Sequence, residues 1–151
     1  FTSVGASMSA SPLSLLKDPS LFKTDALVNG QWVKGSSRFD VNNPATGEKL
    51  ADVANLGAAD AKAAIAAANA AWGPWRNKTG KERSIILRKW FDLLTANTDD
   101  LARILTAEQG KPFAEAKAAI RALADSSDEA GKRCLAPLAD FLDKVSRGIV
   151  R

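Results

Sequence analysis

The chain has 151 residues, 46% of them hydrophobic, with a mean hydropathy of -0.14. That composition fits one globular unit and excludes a disordered or fibrous chain. Its net charge of +4 is gathered downstream, because residues 1–58 balance five basic against five acidic side chains. A single cysteine, Cys134, rules out an internal disulfide. The complete lack of histidine removes the commonest general base and metal ligand, and with them every Ser/His or Cys/His pairing.

The first stretch, "FTSVGASMSASPLSLLKDPSLF", carries no acid before Asp18 and is rich in serine, alanine and other small residues. Organellar transit peptides share that bias, although their arginines are missing here. Residues 1–24 fit two readings equally: a flexible arm left after removal of a presequence, which implies the mitochondrial matrix side and, less readily, a chloroplast, or an ordinary flexible N-terminal arm. Ala26 to Val33 then alternates apolar and polar residues around Asn29-Gly30, the dipeptide that supplies the positive φ angles of a tight hairpin turn. Arg38 to Asn43 alternates again, Pro44 to Gly47 forms a turn, and Glu48 to Asn55 returns.

Everything beyond reads as helix. Asp60 is placed to cap Ala61 to Trp72, where Ala61, Ala64, Ile65, Ala68 and Trp72 share one stripe and Gly73-Pro74 provides the stop. Thr79-Gly-Lys-Glu82 fits a capping box and opens a helix to about Ala96, with Ile86, Leu87, Trp90, Leu93 and Leu94 as its apolar face. Thr98 or Asp99 is expected to cap a third helix that Gly110 and Pro112 end. A fourth runs from Phe113 to about Ala124 on Phe113, Ala116, Ile120 and Leu123. "DSSDEAGKR" is expected to interrupt it before a last amphipathic helix over Leu135 to Val150. The fold class is therefore α+β: N-terminal hairpin strands followed by four to five helices. No run is long and apolar enough to span a membrane.

Most catalytic arrangements fail for lack of parts. The chain has no G-x-G-x-x-G, no G-x-x-x-x-G-K-[ST], no H-E-x-x-H and no C-x-x-C. Lys132 and Arg133 beside Cys134 would favour a thiolate, but no base accompanies it, so a small packed hydrophobe is the better reading. The pairs Asp99/Asp100 and Asp128/Glu129 sit at a helix start and in a polar stretch, where acids cap or are solvated. No catalytic, cofactor-binding or metal residue is assigned, and no cofactor is called. The two candidate partner surfaces are a basic block, Arg76, Lys78, Lys81, Arg83, Arg88 and Lys89, and the tail stripe Leu135, Leu138, Leu142, Val145 and Ile149. Nucleic acid or anionic lipid would suit the block, but no motif supports either.

"VNGQW", "VNNPATGEKLADV", "AIAAANAAW", "ERSIILRKWFDLLTAN" and "LARILTAEQGKPFAEA" occur in the order and spacing seen at the start of NAD(P)-dependent aldehyde dehydrogenases. They resemble the succinate-semialdehyde dehydrogenase branch most, over residues 25–117. The resemblance implies the N-terminal hairpin and the helices that pack around a dinucleotide-binding domain. The family's catalytic cysteine, general-base glutamate and Rossmann motifs lie beyond the matched part, so no site residue is carried over. From about Lys117 the chain reads "AAIRALADSSDEAGKR" without the family's aromatics, leaving residues 118–151 as a divergent helical tail. That tail favours recruitment. The expected function is a non-catalytic accessory subunit of a mitochondrial assembly such as a respiratory complex, ATP synthase or ribosome, binding through the two surfaces above. The alternative is a truncated or fragmentary succinate-semialdehyde dehydrogenase whose catalytic residues lie outside this chain.

Overall fold

The computed structural model describes residues 11–146, with side chains through Arg133. β1 (Ala26–Val28) and β2 (Gln31–Val33) form one antiparallel hairpin, and β3 (Ser37–Asn42) and β4 (Lys49–Asn55) form a second. Asn29 and Gly30 take φ values of 50° and 74°, the double left-handed turn that the Asn-Gly dipeptide selects. In the second hairpin the Asn43 side chain accepts the Ala45 N–H at 2.9 Å, while Gly47 N–H donates to the Asn43 carbonyl at 2.7 Å. Asn43 is itself buried, so this turn is packed rather than loose. The α+β reading is correct: two separate two-stranded sheets precede four helices, with no parallel strands among the described residues.

Helix bounds differ from the sequence reading where a local signal met a tertiary one. α1 covers Ala58–Arg76 and begins at Gly57, not at Asp60. Asp60 sits a turn inside and its carboxylate accepts the Gly57 N–H at 2.9 Å, supplying half of a capping box. Pro74 does not stop the helix at once: it takes one N–H out of the ladder, the helix runs two residues further to Arg76, and Asn77 N–H reaches the Gly73 carbonyl at 3.2 Å. α2 covers Gly80–Ala96 and has the expected box in full. Thr79 N–H donates to Glu82 at 2.7 Å, and Glu82 N–H donates back to the Thr79 hydroxyl at 3.3 Å.

α3 (Thr98–Gln109) follows α2 after Asn97 alone. Thr98 is not its cap: the hydroxyl donates back to the Leu94 and Thr95 carbonyls at 3.0 and 2.9 Å and so finishes α2. Gly110, at φ 68°, ends α3 in the left-handed cap that the sequence predicts. α4 (Phe113–Ser146) is one helix of 34 residues, so the expected break does not occur. Ser127 turns its hydroxyl onto the Leu123 and Ala124 carbonyls at 3.1 and 3.0 Å instead of capping a new helix. Gly131 is buried against Ser84 and Leu87 of α2, where an added Cβ would lie 3.5 Å from Ser84 Oγ.

The core lies where α4 packs on α2 and α3. Among the described residues its buried apolar side chains are alanines, Ala102, Ala107, Ala116 and Ala124, which let helix backbones approach closely. Along α4 the inward positions are Ala116, Ile120, Ala124, Ser127 and Gly131, at the spacings of three and four that keep one helix face. α2 answers with Ser84, Leu87, Phe91 and Leu94, all half-buried. The other half of its expected apolar face is uncovered: Ile86, Trp90 and Leu93 are 45%, 51% and 54% exposed. No large side chain among the described residues is fully buried.

Candidate functional site

Two concave regions stand out, one charged and one apolar. The charged cleft, of about 340 Å³, lies where the N-terminal arm crosses the start of α3. Asp100, 4% exposed, accepts the backbone N–H of Lys17 at 3.0 Å and of Asp18 at 2.8 Å. Part of the segment expected to be free is therefore anchored to the first turn of α3. Beside it Lys117 of α4 pairs with Asp99 at 2.6 Å, and that bond holds the Asp99 carboxyl below the usual carboxylate range. Asp18 is held low as well, chiefly by its hydrogen bonds from Ser20. Lys17, Lys117 and Arg121 face Asp18, Asp99 and Asp100 across the cleft, so positive and negative charges balance. Such a site binds a strap of chain; it has no net attraction for a free anion.

The expectation that Asp99 and Asp100 merely cap the helix or are solvated is thus too weak. Sequence reasoning missed the clamp because its halves lie 82 and 83 residues apart, with nothing in either local pattern to join them. Asp128, the other acid singled out, bridges two helices: it accepts from Arg88 of α2 at 3.0 Å and from Lys132 at 2.9 Å. Those cations, Lys132 first, keep its carboxyl low.

The apolar region belongs to α1. A groove of about 610 Å³ is lined by Ala68, Ala71, Trp72, Pro74, Trp75 and Lys78. A smaller hollow between Ala64, Ala67 and Ala71 and the β1–β2 turn continues it. Ile65 is 69% and Trp72 59% exposed, so the two large members of the stripe read from the sequence are left largely uncovered among the described residues. On the hairpins Leu27, Trp32 and Phe39 are each about half exposed or more, at 61%, 49% and 50%. Apolar patches of this extent on a soluble chain mark surfaces that something covers.

Within the basic block, two arginines are engaged by neighbouring groups. Arg83 donates to the Lys78 carbonyl at 2.6 Å, just past the end of α1, and at 3.4 Å to the carbonyl of Arg76, the last residue of that helix. Arg88 is held by Asp92 and Asp128 and stacks 4.5 Å over the Phe91 ring. Arg76, Lys81 and Lys89 are exposed and Lys78 lines the apolar groove. Leu135, Leu138, Leu142 and Val145 lie on the backbone of α4, but their side chains, like that of Cys134, fall outside the described set, and Ile149 lies outside the described residues altogether. Among the described residues no three His, Cys, Asp or Glu side chains are grouped as a metal site would need, and no helix is long and apolar enough to cross a membrane.

Comparison with known proteins gives these surfaces their context. Residues 32–142 match the aldehyde dehydrogenase family. The 3-sulfolactaldehyde dehydrogenase of Pseudomonas putida is 53% identical over 103 residues, covering 67% of this chain and 21% of that protein. The NADP(+) succinate-semialdehyde dehydrogenase of Escherichia coli is 49% identical over 123 residues, covering 78% of this chain and 26% of that one. A crystal structure of succinate-semialdehyde dehydrogenase from Burkholderia pseudomallei superposes with a TM-score of 0.70 at 54% identity, over 73% of this chain and 23% of that chain. Mitochondrial succinate-semialdehyde dehydrogenases match as well. The chain thus spans about a fifth to a quarter of the length of these relatives.

These findings correct the expected accessory-subunit function. The named relatives are aldehyde dehydrogenases, and the family match continues to residue 142, into the tail whose divergence favoured recruitment. The α+β architecture, the hairpin and helix order and the identity over the matched stretch agree: this chain belongs to the aldehyde dehydrogenase family.

Proposed function

We propose that the chain is the N-terminal scaffold of an NAD(P)-dependent aldehyde dehydrogenase, with the nucleotide site and the reacting cysteine supplied by the rest of that enzyme. The carrying observation is the 49% identity to the Escherichia coli enzyme over 123 residues. The uncovered stripe of Ile65 and Trp72 supports it, since a scaffold helix must bury such a face against its neighbour. The substrate we infer is a short aldehyde with an anionic group at its far end. Succinate semialdehyde, glutarate semialdehyde and 3-sulfolactaldehyde, the aldehydes in the relatives' names, share that chemistry.

A chimera tests the reading. The matched stretch of the Escherichia coli enzyme is replaced by the corresponding residues of this chain, and NADPH formation from succinate semialdehyde is followed. Activity within about tenfold of the parent, a barrier change near 1.4 kcal/mol, is the expected result. A soluble chimera that binds NADP(+) yet turns over no aldehyde would overturn it. For location, the serine-rich arm and the mitochondrial relatives support the mitochondrial matrix. Fractionation of the native source that recovers the chain only in the cytosol would contradict that placement.

A further inference from the structure

We draw no further inference here: the strongest candidate, the apolar groove that Ala68, Trp72, Pro74 and Trp75 form along α1, belongs to the surface already given to the remainder of the enzyme, and nothing in the structure shows any other occupant.

Discussion

Asp100 carries a buried carboxylate whose partners among the described residues are backbone amides of the arm. A charge at 4% exposure is tolerable only if its oxygens are satisfied, and the amides of Lys17 and Asp18 do so. Replacing Asp100 with Ala leaves both N–H groups without that acceptor, a cost of about 1–3 kcal/mol. The arm should then open locally, and amide exchange at Lys17 and Asp18 is expected to quicken by about 5- to 150-fold. Unchanged exchange at those two amides would show that the clamp does not hold the arm. Asp99 gives a second test at the same scale. Its folded-state pKa is depressed by Lys117, so this pair contributes stability above the ordinary value of 3.8 and loses it as pH falls through the lower folded value. Lys117→Gln is therefore expected to move the Asp99 carboxyl titration upward, towards 3.8, followed by carboxyl carbon NMR shifts.

Among the elements, α4 shows how one sequence can be read two ways. "DSSDEAGKR" has the composition of a breaker, yet Ser127 and Gly131 fall in register with Ala116, Ile120 and Ala124 on the face that meets α2. Gly131→Ala is expected to stabilise the chain by up to about 1 kcal/mol in urea unfolding, because Ala is the better helix former and its Cβ would rest at ordinary contact distance from Ser84 and Leu87. Gly110→Ala should do the reverse and cost about 1–2 kcal/mol, since φ is 68° and a Cβ would come 3.0 Å from Pro44 Cγ. Where a signal is local the sequence was sufficient: the Asn29-Gly30 turn, the Thr79–Glu82 box and the Gly110 cap all form as read. It misled where the deciding partner is distant. Small polar residues look like an interruption until α2 is seen to need a close approach, and Pro74 looks like a stop until its place in the last turn of α1 is known. The apolar stripes were legible as stripes, but no local pattern says whether Trp72 or Trp90 finds a neighbour within the same chain.

At the scale of the whole molecule, what decides behaviour is how little of the large apolar surface is covered. Trp32, Trp72 and Trp90 are each about half exposed or more, and the buried apolar residues are alanines. Burial of apolar area is the dominant favourable term in folding, at roughly 25 cal/mol per Å², and these side chains have yet to contribute about half of theirs. Produced alone, the 151-residue chain is therefore expected to bind a dye such as ANS, to self-associate as its concentration rises, and to emit from its tryptophans at the red-shifted wavelength of wet indole. Within the chimera the same tryptophans should shift to the blue and the dye signal should fall. Trp72→Ser separates the two states further. It removes exposed surface from the isolated chain, so association should weaken, whereas in the chimera it truncates a contact and should cost about 3 kcal/mol or more, the scale of losing a packed Trp. An isolated chain that is monomeric, blue-emitting and dye-silent would place the partner of α1 within these 151 residues and remove the argument that the rest of the dehydrogenase covers it.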